Sequence, residues 1–373
     1  MLRTINQANL KNKKVFVRCD FNVPIENGKV SDDLRIKSSL ETINYILKKN
    51  PKQIILASHL GRPTGIEEKY SLKPIIKILK KYIKEEIYFH TNFNEEIPKD
   101  KQIILIENLR FDDGEQKGSL TFAKKLSKFA DIYINDAFGT SHRKDASMYN
   151  LAKLLPSYAG FLVMKEVEHV TLKNQKSPIV AIFGAAKISD KLPLLKELLK
   201  KVDKLIIAGA SEFTFFKSFG LEIGKSLYEE KLVKEANEIY KKYSDKIIFP
   251  VDLSGQISDN KIILNMPFDE IPKQMYCYDV GKQSIKLFKA VLKDAKTIIW
   301  NGTLGMFEKK PYDKGTNEIA KFISKLNAKT IICGGDTASA VKKYNFTHVS
   351  TGGGASLELL SGKKLPGIEV LSN

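Results

Sequence analysis

Residues 330–344 read Thr330-Ile-Ile-Cys333-Gly334-Gly335-Asp336-Thr337-Ala-Ser-Ala-Val-Lys-Lys-Tyr344: an apolar run, two glycines, then a helical pattern. An apolar run without polar alternation suits a strand buried on both faces, the usual state of a parallel strand. Parallel strands need a crossover, and a helix directly after the turn supplies one, so the unit is α/β. Glycines at such a turn let backbone N–H groups approach an anion, and the helix start favours negative charge there. Asp336 suits Mg²⁺, which takes one or two carboxylates plus substrate oxygens, and Thr337 can donate to a phosphate. A second run, Thr351-Gly352-Gly353-Gly354-Ala355-Ser356, precedes another helical stretch. Two such turns in one half of an α/β chain point to a nucleotide.

The same alternation extends toward the N-terminus. Strand-like runs fall at Val15–Val17, Ile54–Ala57, Ile103–Ile106 and Ile132–Ile134. Others fall at Ile179–Phe183, Leu205–Ala208, Ile247–Phe249, Thr297–Trp300 and Thr330–Cys333. Between them lie helical faces, such as Leu34, Leu40, Ile43, Ile46 and Leu47, or Leu192, Leu195, Leu198 and Leu199. About nine strands over 373 residues call for two sheets and two domains. The boundary is placed in the helical stretch near residues 158–176, which has no glycine or proline after Phe161 and is followed by Ser177-Pro178 and a new strand. Residues 1–160 then form a first lobe, 161–176 an interdomain helix, and 177–365 a second lobe.

A hydrophobic content of 43% and a charged content of 28% describe a globular protein. Cys19, Cys277 and Cys333 are far apart and form no metal-binding spacing, which suits a reducing compartment. The N-terminus lacks the apolar core of a signal peptide and no run reaches membrane-span length, so a cytoplasmic protein without a membrane partner is expected. The net charge of +18 raises the question of nucleic acid. The lysines are spread along the chain in short pairs, with no basic tail and no zinc-finger spacing, so no nucleic-acid partner is expected. The phosphate loop GxxxxGK[ST] is missing by one residue at Gly220–Ser226, and GxGxxG and the protein-kinase signatures are absent.

Arginine usage is the sharpest compositional signal. The chain has 55 lysines and six arginines, none of the six after Arg143. Only arginine offers a planar fork that grips phosphate or carboxylate with paired hydrogen bonds. Arg3 lies outside any distinctive phrase, whereas Arg18, Arg35, Arg62, Arg110 and Arg143 each lie within one. An anion pocket built by the N-terminal half follows.

The phrases RCDFNVP (18–24), SHLGRP (58–63), ENLRF (107–111), NDAFGTSHR (135–143), GAAKISDK (184–191), WNGTLGMFE (300–308), CGGDTASA (333–340) and STGGGASLELLSGKKLPG (350–367) occur in this order. Together they resemble phosphoglycerate kinases over almost the whole chain. The resemblance implies two Rossmann-like lobes, each a parallel sheet flanked by helices, with a cleft between them. The first lobe would hold 3-phosphoglycerate or 1,3-bisphosphoglycerate and the second Mg-ATP or Mg-ADP, in a monomer. Residues 366–373 would cross back to the first lobe, and the interdomain helix would serve as hinge.

Residue by residue, the resemblance places Asp20 and Asn22 at the glycerate end, with Arg35, Arg62, Arg110, Arg143 and His59 as the basic patch. Arg18 matches a position at least as suited to a structural ion pair. Lys187 and Lys191 match phosphate-binding lysines, Gly209 part of the adenine slot, and Glu308 the acid on the ribose hydroxyls. Asp336 would bind the metal, and Gly334, Gly335, Thr337, Gly352, Gly353 and Gly354 would lie along the phosphates. Arg35 and Lys187 would neutralise the transferring group. A carboxylate acceptor is already ionised at neutral pH, so the chemistry asks for positioning and charge rather than a general base.

The chain departs from the pattern at Ala185, Thr303 and Asp145, the last being a carboxylate beside the basic patch. Two alternatives stand beside this reading: a relative acting on another small carboxylate, and a non-catalytic polyanion-binding protein on the same fold. The set of arginines counts against the first, and Lys187, Lys191 and Asp336 count against the second.

Overall fold

The computed structural model describes residues 1–26, 28–172, 175–257 and 262–372. The chain forms two units: Met1–Glu168 together with the segment from Lys364 onward, and His169–Lys363.

In the first unit, Lys14–Cys19 (β1), Gln53–Ala57 (β2), Ile87–His90 (β3), Ile103–Ile106 (β4), Ile132–Asp136 (β5) and Ser157–Ala159 (β6) make one sheet. Its order is β3-β4-β2-β1-β5-β6 and every pairing is parallel. Every residue of β2, β4 and β5 is buried, which is why these runs show no polar alternation. The helix Leu34–Leu47 (α1) buries Ile36, Ser39, Thr42, Ile43 and Ile46. Leu34, expected on that face, is 52% exposed, because it lies two residues, or about 200° of helical rotation, from Ile36.

The interdomain helix is shorter than the expected 161–176. It spans Phe161–Val170 (α2), and the division between the units falls inside it. The Gln175 amide donates to the Thr171 carbonyl at 2.7 Å and to the His169 carbonyl at 3.3 Å, satisfying acceptors that a longer helix would have used. Lys173 and Asn174 lie outside the described residues.

The second unit contains Ile179–Gly184 (β7), Lys204–Ala208 (β8), Ile247–Ile248 (β9), Asp252–Gln256 (β10), Ile262–Pro267 (β11), Tyr276–Val280 (β12), Thr297–Asn301 (β13), Lys329–Cys333 (β14) and His348–Val349 (β15). Six of them form a parallel sheet in the order β9-β8-β7-β13-β14-β15. The strand order reverses between β7 and β13, and ligands of open α/β sheets bind outside the strand ends at such a point. Strands β10 to β12 form a separate antiparallel sheet that the sequence did not announce. Glycine, serine and tyrosine interrupt its apolar pattern, and β12 buries only part of itself. Helices Leu192–Lys201 (α3), Ser211–Ser218 (α4), Gly335–Val341 (α5) and Gly354–Leu360 (α6) complete the parts of this unit that matter for function.

Candidate functional site

In the first unit the chain leaves the ends of β1, β2, β4 and β5 and brings polar side chains together there. Asp20, just after β1, is 3% exposed and accepts from the Arg35 guanidinium at 3.1 and 3.3 Å. Asn22 accepts from the Gly61 N–H at 2.9 Å, and Arg110 donates to the Gly61 carbonyl at 2.5 Å. Arg143 donates through Nε to both oxygens of Asp145, at 3.1 and 3.0 Å, and an Arg110 nitrogen lies 4.0 Å from the same carboxylate. Asp145 is therefore paired with the arginines beside it. The Arg110 Nε is buried without a hydrogen-bond partner. Burial, then the neighbouring Arg143, lowers its guanidinium to about 10, still cationic at neutral pH.

His59 was expected to add charge to this patch, and here the reading needs correction. The ring is 3% exposed, and burial followed by the charges of Arg18, Arg110, Arg35 and Arg143 pushes its pKa well below the usual histidine value. It is a neutral imidazole, with Nδ1 3.4 Å from the Arg18 guanidinium. All four arginines are thus near enough for their charges to act on His59. Arg62 is exposed and not among the charges felt there.

Arg18 itself is structural. It is fully buried, donates to Ser147 Oγ at 2.9 Å and to the Cys19 carbonyl at 2.5 Å, and lies 3.9 Å from buried Glu115. Arg3 is not idle either, since it donates to the carbonyls of Leu371 and Val370 at 3.3 and 3.2 Å.

In the second unit a cavity of about 520 Å³ opens at the reversal of strand order. Gly302 follows β13 at φ +91°, and a Cβ there would lie 1.7 Å from the Gly184 carbonyl oxygen, so the floor admits only glycine. Of the expected residues, Lys191, Gly209, Glu308 and Asp336 line this cavity. Lys191 Nζ reaches the Gly184 carbonyl at 3.0 Å. Lys187, Gly334, Gly335, Thr337 and Gly352–Gly354 are not part of its wall. Thr337 is buried, and its hydroxyl accepts from the Gly302 N–H at 2.7 Å. Gly334 and Gly353, with φ of +94° and +50°, immediately precede α5 and α6.

Asp336 is an exposed carboxylate in the first turn of α5. Among the described residues no group of three or more histidine, cysteine or acidic side chains could enclose a metal. A single carboxylate open to solvent suits Mg²⁺, which keeps waters and substrate oxygens in its shell, and does not suit a fully protein-ligated ion.

Several lining residues escaped sequence reasoning. Glu212, Lys225, Ser226 and Tyr276–Asp279 all face the cavity. The only signal was the near-miss phosphate loop at Gly224-Lys225-Ser226, which matches no complete motif. Burial raises the Glu212 carboxyl well above its usual value, with Asp279 adding to the effect. Burial likewise raises Asp279 to about 7 and the Cys277 thiol to about 12.

The family described as phosphoglycerate kinase matches residues 5–363. A relative named phosphoglycerate kinase from Nitratiruptor sp. is 45% identical, over 99% of this chain and 98% of its own. One named phosphoglycerate kinase, cytosolic, from Triticum aestivum is 44% identical over 99% and 97%. Among solved structures, phosphoglycerate kinase from Coxiella burnetii superposes with a TM-score of 0.92 at 34% identity, covering 100% of this chain and 99% of that one. The enzyme from Pyrococcus horikoshii gives 0.85 at 28% identity, covering 100% and 98%.

Proposed function

Since this chain belongs to the phosphoglycerate kinase family, and so moves a phosphoryl group onto a carboxyl acceptor, we propose that its first unit holds 3-phosphoglycerate or 1,3-bisphosphoglycerate and its second Mg-ATP or Mg-ADP. The observation that supports the first assignment best is a set of arginines, Arg35, Arg110 and Arg143, that are held by Asp20, the Gly61 carbonyl and Asp145 and whose charges all act on His59. A substrate with a phosphate and a carboxylate needs forked donors at fixed positions, and the acids Asp20 and Asp145 fix two of the forks. Asn22 and Arg62 complete the assigned substrate set, as a backbone-holding residue and an exposed cation.

In the second unit, the cavity at the strand reversal supports Glu308 as the ribose acid, Gly209 as part of the base wall, and Lys191 and Asp336 at the phosphate end. Gly334, Gly335, Thr337 and Gly352–Gly354 frame the starts of α5 and α6 beside it. Mg²⁺ held by Asp336 would supply positive charge to the nucleotide phosphates. Arg35 and Lys187 are the cations we assign to the transferring group itself. The acceptor carboxylate carries its charge already, so these residues neutralise and orient, and none has to remove a proton. We assign a cytoplasmic monomer; among the described residues no helix is long and apolar enough to cross a membrane. The net charge of +18 needs no polyanion partner.

Charge-conserving replacements test the assignment. Arg35→Lys is expected to lower kcat/KM by about 10–100-fold, and Arg110→Lys and Arg143→Lys by smaller factors, in a coupled assay with Mg-ATP and 3-phosphoglycerate. Arg62→Lys, at an exposed position, is expected to be the mildest. Wild-type kinetics in all four would show that the patch acts as diffuse charge and that the forks have no role. Arg3→Lys, the obvious control by sequence, is unsuitable because Arg3 holds two carbonyls of the C-terminal segment.

Asp145 now has a definite sign. Asp145→Asn removes the carboxylate that receives Arg143 Nε at both oxygens, so the KM for 3-phosphoglycerate is expected to rise roughly tenfold with a smaller change in kcat. Calorimetry showing tighter 3-phosphoglycerate binding, most clearly at low salt, would mean that its charge opposes the substrate instead.

A further inference from the structure

We propose that Arg18 is a positioning residue for the substrate: it holds His59 in the tautomer that carries the proton on Nε2, so that the ring presents an N–H donor to an anionic oxygen. The inference rests on the assignment of the first unit to 3-phosphoglycerate. Arg18 is fixed through all three of its guanidinium nitrogens. Nε donates to Ser147 Oγ at 2.9 Å, Nη1 donates to the Cys19 carbonyl at 2.5 Å, and Nη2 points at His59 Nδ1 from 3.4 Å. Ser147 gives its own hydroxyl hydrogen to Glu115 at 2.6 Å, so its oxygen is free to accept from Arg18. Glu115 also lies 3.9 Å from Nη2, and both side chains are completely buried. Held at these points, the guanidinium cannot turn away from the imidazole without breaking buried hydrogen bonds.

Arginine has five N–H donors and no acceptor, so His59 Nδ1 can only be the acceptor of this contact. A proton on Nδ1 would set two donors face to face. The single proton of a neutral imidazole must then sit on Nε2. Burial, followed by the charges of Arg18, Arg110, Arg35 and Arg143, opposes a second proton. Among the described residues Nε2 has no hydrogen-bond partner, yet it is not one of the buried atoms left without one, as Arg110 Nε is. It thus keeps contact with solvent, on the ring edge away from Arg18.

The tautomer decides what the ring does to a substrate. An ionised carboxylate or phosphate oxygen is an acceptor only. Nε2–H gives it a hydrogen bond, whereas the other tautomer would turn a lone pair toward it. Arg35, Arg110 and Arg143 already act on His59 with positive charge, so a further cation at the ring would meet like-charge repulsion. A neutral donor adds a directed contact without that cost. Arg18, itself closed off from solvent, cannot touch the substrate and acts through the ring.

The wild-type enzyme, isotopically labelled at nitrogen, gives the direct test. Long-range nitrogen–proton NMR distinguishes the two neutral tautomers and the imidazolium, and His59→Gln identifies the His59 signals among the five histidines. At neutral pH the ring should show the Nε2–H tautomer, and saturation with 3-phosphoglycerate should shift Nε2 and leave the tautomer unchanged. The Nδ1–H form, an averaged mixture or an imidazolium overturns the proposal, and so does an unmoved Nε2 when calorimetry shows binding. Kinetics separate positioning from folding. His59→Leu should raise the KM for 3-phosphoglycerate about tenfold with kcat little changed, and His59→Gln, which returns an N–H donor, should recover most of it. Arg18→Met with Glu115→Gln should raise the same KM by a similar factor, and adding His59→Leu to that pair should cost little more. Additive losses would mean that Arg18 serves the fold and nothing else, which overturns the proposal. A wild-type chain that neither binds 3-phosphoglycerate in calorimetry nor turns it over overturns both this inference and the assignment beneath it.

Discussion

Lys187→Ala is expected to lower kcat by about 10²–10³ while leaving the KM of each substrate within a few-fold of wild type. Lys187 is exposed, outside the wall of the second-unit cavity, and close enough to Glu229 to act on its charge. The Glu229 carboxyl lies below its usual range although partial burial works against ionisation. The hydrogen bonds from Ser189 outweigh that burial, and Lys187 adds a smaller attraction. A lysine placed this way contributes little to holding a bound nucleotide in the ground state. Its ammonium matters when negative charge spreads over the equatorial oxygens of the moving phosphoryl group. An interaction made only then lowers kcat and kcat/KM together when it is lost. Steady-state kinetics in both substrates would check this, and a variant with full kcat and a raised nucleotide KM would assign Lys187 to binding instead.

The largest stability effect is expected at Arg18. Its guanidinium and the Glu115 carboxylate are both completely buried, and Ser147 joins them: Glu115 accepts from the Ser147 N–H at 2.9 Å and from its hydroxyl at 2.6 Å. Arg18→Met leaves Glu115 in an apolar interior without its cation, at a cost of about 3–5 kcal/mol, measurable by denaturant or thermal unfolding. The pH dependence has a definite sign. Burial already raises the Glu115 carboxyl above its usual value despite the Arg18 charge, and removing that charge raises it further. A group raised on folding contributes stability below its unfolded value that is lost as pH rises through the folded one. The deficit of Arg18→Met should thus be small near pH 4.5, the ordinary carboxyl value, and grow toward neutrality. Arg18→Met combined with Glu115→Gln, which removes the orphaned charge, should recover a large part of the loss. A double variant no more stable than the single one would show that packing of the arginine stem, rather than the charge pair, is what matters.

The parallel sheets were legible because burial on both faces forces continuous apolar runs, and all nine expected runs lie in or overlap strands of the two sheets. The edge strands Ile87–His90, Ser157–Ala159 and His348–Val349 were not, being short and, in Ile87–His90, buried only at the two end residues. The antiparallel sheet β10 to β12 was missed because serine and glycine interrupt β10 and because β12 serves a cavity wall as well as a strand, so no single period governs it. Arginine survival in a lysine-rich chain pointed to the cluster at the strand ends of the first unit, yet composition cannot separate a partly exposed guanidinium such as Arg35 from one buried against Glu115. The charge of His59 was misjudged for a related reason: its protonation depends first on burial and then on arginines both earlier (Arg18, Arg35) and later (Arg110, Arg143) in the chain, which act together only on folding. Glu212 carried no signal at all, since an acid near the start of a helix is ordinary until its burial is known.

The segment from Lys364 onward belongs to the first unit, and this has a bearing on how the chain is made. Leu2 pairs with Ser372, the Asn135 amide donates to the Gly367 carbonyl at 2.8 Å, and the Gly367 N–H donates to the Ser141 carbonyl at 2.9 Å. Asn135 lies in β5 and is fully buried. A nascent chain therefore emerges with its first unit begun first but finished last, because the buried Asn135 amide finds its shorter hydrogen bond, to Gly367, only after residues 364 onward are made. The second unit has all of its residues by Lys363. Translation order and completion order run in opposite senses, and the first unit is complete only once the segment from Lys364 onward has been made.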